Sequence, residues 1–415
     1  MRTSYVVKSI LNLLTILILI LVLVPGAYAK KGGGGGGKPG GDPPDVCTDV
    51  FPGFVYLKEA TKKSPAEIYL ASSDGCRRES IGKPSDFQSG PIMHVTEDGT
   101  AGVILWIEEP DLLGHDVVQR VDFTFQFNGA EDVFAYEPPV PMSLPGEGVP
   151  AEDFLKYSSG DVWGDANHDS LYLLIHRRHS SDGFPSNRKW LIYNLNDPTF
   201  TDMRELGNEA CPTGVLYPQF VPECYNNGTV RWNTSGTQLY RSTGNNGWMG
   251  AVRINIDKGD GLALEHWVFS NPELIYAGPS DPNADYGEPW NTFARPPSAT
   301  DPGEFLAMTF LDRTGQHTIG AAAILNVDDC TSLYTPYSNG DIPSVDDLWL
   351  LCIEGAPFVG GNQGRQNSWQ SSDDLLVSRL RNSRTTDIYR IHHPGKPDMS
   401  EELLIEGAER ADSGF

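Results

Sequence analysis

The 415-residue sequence predicts an all-β fold, a six-bladed β-propeller of four-stranded antiparallel blades, on three observations. Short runs of β-branched and aromatic residues with period-two alternation recur along the chain, as in Val103–Ile107, Leu171–Ile175 and Leu375–Arg379. Between them stand turns built from Ser, Asp, Asn and Gly, the residues that close hairpins. Beyond the N-terminus, no window long enough for a helix carries an apolar stripe at helical spacing.

Arg2 and Lys8, the apolar stretch Ile10–Val24 and the small residues of Ala27-Tyr28-Ala29 have the order of a secretory signal, with cleavage expected after Ala29. About fifteen apolar residues make ~22 Å of helix at ~1.5 Å each, short of a ~30 Å hydrocarbon core, so no permanent membrane anchor is expected. The first cysteine is Cys47, too far on for lipid attachment beside the apolar stretch. Lys30-Lys31, Gly32–Gly37 and the segment through Pro43-Pro44 follow as a flexible tether with few side chains to pack. No strand pattern precedes these glycines and no Lys-Ser/Thr pair follows, so they are not a phosphate-binding loop. Residues 1–29 are thus read as signal peptide, 30–46 as tether and 47–415 as one propeller domain, exported to the periplasm or secreted.

Six cysteines suit an exported chain. Short separations make loop closure cheapest for Cys47–Cys76, Cys211–Cys224 and Cys330–Cys352, the expected disulfides, although fifteen connectivities are open. Metal ligation is the alternative use of these thiols, but no Cys-x-x-Cys occurs. The formal charge of −24 argues against nucleic acid or anionic lipid as partner, since phosphate recognition needs clustered Lys and Arg.

Within residues 47–415 six units can be followed in order. The first joins Gly53–Leu57 to Glu67–Gly75, and the second joins Pro91–Gly99 to Val103–Ile107. The third begins at Val162-Trp163 and runs through Asp169-Ser170-Leu171 to Trp190 and Asn194. The fourth runs Val230–Tyr240 and Ala251–Asp257. The fifth is degenerate, with Trp290–Phe293, Glu304–Phe310 and Ala321–Asn326, and the sixth runs Ser368–Arg379 and Asp387–Ile391. Trp232 to Trp369 is about twice the step from Trp163 to Trp232, which leaves room for the fifth. A ring of such sheets buries both faces of each and protects its edges. The C-terminal Asp412-Ser413-Gly414-Phe415 echoes Gln88-Ser89-Gly90-Pro91 and is expected to close the ring as the innermost strand of the first blade.

The succession of aromatic, polar turn, apolar strand and Ile-Tyr strand in Trp369–Ile391, Trp232–Asp257 and Ile68–Gly75 resembles the WD40-like repeats of the TolB propeller family. The usual Ser-Pro-Asp-Gly turn stands here as Asn233-Thr234-Ser235-Gly236 and Gln370-Ser371-Ser372-Asp373. The resemblance implies a protein partner, and with no catalytic motif in the chain the expected role is a non-enzymatic binding or scaffold module.

Motifs add little chemistry. Asp165-x-Asn167-x-Asp169 and Asp281-x-Asn283-x-Asp285 place oxygen side chains at alternate positions as a calcium loop does, but neither completes the pattern, and both suit Asx-turns. No cofactor is otherwise expected. His176 and His179 follow a strand, where their spacing separates them, and His392-His393 are adjacent at a strand end. No Gly-x-Ser-x-Gly elbow, His-Glu-x-x-His or phosphate loop is present. The 55 acids leave open a carbohydrate-active or other hydrolase with carboxylates at the axial mouth of the ring. Two long segments, Glu137–Gly160 and Ala277–Glu304, read as loops, and Tyr286, Trp290 and Arg295 of the second are candidate anchors for a partner. Trp290 also reads as the core aromatic of its own unit. A monomer is expected.

Overall fold

The computed structural model describes residues 51–109, 116–127, 132–179, 188–206, 230–279, 286–326 and 368–414, apart from short stretches within them. β1 (Phe54–Lys58), β2 (Glu67–Ala71) and β3 (Arg78–Gly82) are followed by β4 (Phe87–Val95), β5 (Ala101–Glu108), β6 (Val117–Phe127), β7 (Asp132–Tyr136) and the short β8 (Val140–Met142). Next come β9 (Leu155–Gly164), β10 (Leu171–His179), β11 (Arg188–Asn194) and β12 (Met203–Glu205). β13 (Val230–Trp232), β14 (Gln238–Asn245), β15 (Trp248–Asp257) and β16 (Val268–Pro279) form another sheet. β17 (Tyr286–Ala294), β18 (Phe305–Asp312) and β19 (Ala322–Asn326) precede β20 (Ser368–Trp369), β21 (Asp374–Asn382), β22 (Thr385–His392), β23 (Ser400–Ile405) and β24 (Ala408–Asp412). All pairings are antiparallel, and the only helical element among the described residues is one 3-10 turn, Leu264–His266.

The strands alternate their side chains between two cores, and this makes the sheets stack radially. Val103, Leu105 and Ile107 of β5 pack with Leu171, Leu173 and Ile175 of β10, whereas Ile104 and Trp106 pack with Val55, Leu57, Ile68 and Leu70 on the other side. Tyr172 and Leu174 of β10 in turn face Trp232, Leu239, Val252 and Ile254. A strand that is apolar on both faces must be covered on both, which a ring of sheets provides. Each fully buried Leu, Ile or Val here contributes roughly 1.5–3 kcal/mol.

The innermost strands touch in a closed circuit: β24 lies against β4, β4 against β9, β9 against β13, β13 against β17, β17 against β20 and β20 against β24. The protein is an all-β propeller. Closure comes from the C-terminal strand as expected: β24 pairs antiparallel with β1, with Val55 opposite Asp412 and Lys58 opposite Ala408. The strand lies mostly before the tetrapeptide that signalled it, and Gly414 beyond it adopts φ +75° close against Met93 of β4.

The expectation of six four-stranded blades is corrected. Five sheets among the described residues hold at least four strands, and β17–β19 holds three. Among the described residues that unit's strands overlap the three apolar runs read in its sequence. The expected long loops are corrected too. Tyr286–Ala294 is the inner strand β17, and β8 and the start of β9 lie within 137–160. Residues 1–46 lie outside the described residues, and among those described no helix is long and apolar enough to cross a membrane. Of the cysteines, Cys76 alone lies among the described residues, and it is not free. Cys47, Cys211, Cys224, Cys330 and Cys352 lie outside them.

Candidate functional site

Asp161 and Asp412 are carboxylates on inner strands, where an acid–base pair at the ring axis would stand. On β9, Asp161 Oδ2 accepts the Trp232 amide at 2.7 Å and Oδ1 accepts the Val162 amide at 3.0 Å. The Arg231 guanidinium lies 3.6 Å from Oδ1 and also donates to the Gly160 carbonyl oxygen. At the end of β24, Asp412 Oδ2 accepts the Met93 amide at 2.7 Å and Oδ1 accepts the Ser368 hydroxyl at 3.0 Å. In each case an inner-strand carboxylate fastens the neighbouring inner strand. Burial pushes the Asp161 carboxyl up to about 7, Arg231 opposes this, and Asp412 adds to it. Such a value suits an acid catalyst. Here, however, both oxygens of both residues are already taken by backbone amides or by the Ser368 hydroxyl.

The hairpin turns present a second set of polar groups. Thr96, Asp165 and Asn233 open equivalent turns: their amides donate to the carbonyl oxygens of Ala101, Ser170 and Gln238 at 2.9, 2.9 and 3.1 Å. Their side chains accept the returning amides of the same residues, each at 3.0 Å. Asp165-Asn167-Asp169, a calcium candidate in sequence, therefore folds as an Asx-turn in which Asp165 Oδ2 is used by Ser170. Among the described residues no group of three or more His, Cys, Asp or Glu is placed to hold a metal. Asp281, Asn283, Asp285 and Arg295 lie outside the described residues. Tyr286 and Trp290 lie on β17, at the inside of the ring between β13 and β20.

The turns also expose an offset that the repeat spacing concealed. Trp232 immediately precedes the turn residue Asn233, whereas Gly164 separates Trp163 from Asp165. Trp163 is thus displaced by one position from Trp232 and is only partly buried. Its indole Nε1 donates to the Thr234 carbonyl oxygen at 3.0 Å, and the ring lies over Gly236, where an added Cβ would come within 2.1 Å.

Four aromatic rings meet at this point. Trp163 stacks on Tyr172 with centroids 6.1 Å apart and planes 9° apart, and it lies 6.0 Å from Trp232. Trp267 meets Tyr172 edge-on at 4.7 Å and Trp232 edge-on at 6.0 Å. Lys258, just beyond β15, places its ammonium 3.1 Å from the Trp163 centroid and 5.0 Å from that of Trp267. Burial pulls this ammonium down to about 8, with Asp165 opposing. Asp165 Oδ1 is buried without a hydrogen-bond partner.

On the other side of Asp165, His94 Nδ1 and His168 Nε2 share a 2.9 Å hydrogen bond, and the Glu97 amide donates to the Ala166 carbonyl oxygen at 3.0 Å. Two neighbouring turns are joined there. Burial pulls His94 down to about 3, with His168 adding and Asp165 opposing, and His168 is lowered by burial as well. The remaining histidine pairs do not converge: His392 Nδ1 lies 2.7 Å from Asp374 and His393 Nδ1 lies 2.7 Å from Asp398, while the His176 ring packs 5.0 Å from Trp190. Sequence reasoning found Trp163 as a repeat aromatic but missed the box it forms. Lys258 carries no local signal, since only the fold brings it to a ring nearly a hundred residues earlier.

No protein-family model matches the sequence, and no curated protein matches it. Among solved structures the chain is similar to TolB from Acinetobacter baumannii, at 9% identity over 87% of this chain and 66% of that one, with a TM-score of 0.47. It is similar also to a hypothetical selenium-binding protein from Sulfolobus tokodaii, at 9% identity over 86% and 92% of the two chains, TM-score 0.41. A third is levansucrase from Bacillus subtilis, at 10% identity over 66% and 80%, TM-score 0.35. The chain spans just under two thirds of the length of that TolB. The propeller assignment rests on the strand order and the two-sided cores described above.

Proposed function

We propose that this chain is an exported, non-enzymatic binding or scaffold module that takes a protein partner on the hairpin-turn face of its propeller. One observation carries the reading: Asp161 and Asp412 spend both carboxylate oxygens on the ring itself. Two charged groups with unspent interaction capacity, Asp165 Oδ1 and the Lys258 ammonium over Trp163, lie beside the turns. Aromatic residues and partly desolvated charges of this kind are what binding surfaces use. The signal-like N-terminus, cleaved after Ala29, and the three cysteine pairs belong to the same reading, which places the mature chain in the periplasm or outside the cell.

The second reading is a hydrolase acting at the ring axis, favoured by the upward shift of Asp161 beside Asp412. One experiment separates the two. The mature chain, its Lys258→Glu variant and its Asp161→Asn variant are compared for partner capture, for affinity toward the captured protein once purified, and for hydrolysis of a panel of oligosaccharides and peptides. The binding reading expects a stoichiometric complex whose affinity is changed at least tenfold by Lys258→Glu and left unaffected by Asp161→Asn. Turnover that is abolished by Asp161→Asn, at unchanged melting temperature, would replace it with the hydrolase.

A further inference from the structure

We infer that Trp163 and Trp267, with Asp165 beside them, form a site for a methylated ammonium group, and that Lys258 of the chain itself occupies this site until such a ligand arrives. The inference deepens the binding reading above by naming the chemistry that the turn face recognises.

The walls are built in advance. Trp163 is fixed by its hydrogen bond to Thr234 and by its seat on Gly236, and Trp267 is fully buried at 1% exposure against Tyr172 and Trp232. A cation over the face of an indole is drawn by the ring quadrupole, and the effect grows as water is excluded. Lys258 shows that the box accepts a positive charge. It fills the box poorly, however. A primary ammonium has three N–H donors, and among the described residues Nζ of Lys258 makes no hydrogen bond. Asp165 supplies a buried carboxylate oxygen that no donor satisfies, yet its influence on Lys258 is through charge alone. A quaternary ammonium, with methyl groups in place of all its N–H bonds, has no donors to leave unsatisfied. It keeps its charge at every pH, whereas burial already works against the charge on Lys258.

Lys258 can also leave. It sits just beyond the end of β15, only partly buried and flanked by the exposed Asp257 and Gly259, so its side chain borders solvent. The formal charge of −24 draws cations toward the molecule as a whole.

The probe is tetramethylammonium, titrated into the full mature chain and followed by indole fluorescence and by shifts of the indole N–H resonances. Sodium at equal ionic strength is the control. Lys258→Ala vacates the box and is expected to bind the probe at least tenfold more tightly than the unaltered chain, with perturbation concentrated on Trp163 and Trp267. Adding Trp163→Leu to Lys258→Ala is expected to abolish the gain. Should Lys258→Ala fold poorly, Lys258→Gln removes the charge at nearly the same length and is read in the same way. Equal affinity of the Lys258 variants and the unaltered chain overturns the inference, and so does a gain that survives Trp163→Leu. A protein partner that still loses affinity with Lys258→Glu, while tetramethylammonium shows no binding to any variant, removes the methylated-ammonium assignment and leaves the turn-face reading standing.

Discussion

The Trp163 indole donates to the carbonyl oxygen of Thr234 at 3.0 Å, so a side chain from β9 is fastened to the first turn of the next sheet while its face carries the Lys258 ammonium. The joint between the two sheets and the wall of the proposed site are the same residue. Changes that disturb the joint should therefore be felt both in stability and in ligand binding.

Gly236→Ala is expected to be strongly destabilising. The residue has φ +64°, and its added Cβ would meet Trp163 Cε2 at 2.1 Å. The left-handed backbone costs about 1–2 kcal/mol and the forced displacement of a packed ring about 1–3 kcal/mol more. Gly259→Ala, at φ +59° in open space, carries only the first cost. Urea unfolding of the two variants separates strain from clash. Equal losses would show that the indole yields freely and is no fixed wall.

Asp412→Ala should loosen ring closure. It leaves the buried Met93 amide without its acceptor, at about 1–3 kcal/mol, and removes one partner of the buried Ser368 hydroxyl, which keeps Ser413 Oγ at 2.9 Å. Asp412→Asn keeps one acceptor oxygen and should recover part of the loss. Denaturant midpoints read both, and an Ala variant as stable as the Asn variant would contradict the latch.

Acid should weaken the joint between the turns that carry His94 and His168. Both imidazoles are held below the ordinary value of 6.5, His94 to about 3, with Asp165, Asp122 and Arg120 the other charged groups acting on the pair. Below about 6.5 the unfolded chain binds protons that the folded pair resists. The stability contributed by the pair is thus complete above that pH and falls as pH drops toward 3. The slope is about 1.4 kcal/mol per pH unit for each proton. Melting temperatures between pH 7.5 and 4.5 should decline less steeply for His94→Gln than for the unaltered chain. An identical decline would place the acid sensitivity elsewhere.

On the proposal that the chain is exported, three disulfides are expected. Peptide mapping without reductant should recover Cys47 linked to Cys76, Cys211 to Cys224 and Cys330 to Cys352, with no free thiol. Loops of this size contribute about 3 kcal/mol each, so reduction should lower the melting temperature markedly. A recovered cross-link between members of different pairs would refute the local solution.

Strands were legible because they are apolar on both faces over short runs. Val103–Ile107 reads as a buried strand in the sequence and is β5 in the fold, with alternate residues in two cores. The degenerate unit's apolar runs were legible as well, since they overlap β17, β18 and β19, although four strands were expected there. What failed was placement within a unit. Spacing alone put Trp163 level with Trp232, but a single extra residue, Gly164, moves it to another position at the strand end. Tyr286 and Trp290 read as loop anchors because Pro and Gly surround them, yet long-range pairing with β18 makes a strand of that segment.

By itself the amino-acid order determined the class of fold, the run of strands and the closing role of the C-terminal segment. Those features follow from local alternation and from the need to bury apolar side chains on both faces. Only the tertiary structure decided which charges meet: that Asp161 and Asp412 are spent on neighbouring strands, and that Lys258 comes to rest on Trp163. Such contacts join residues far apart in the chain, and their positions depend on how adjacent sheets twist and stack, which no local pattern of side chains records.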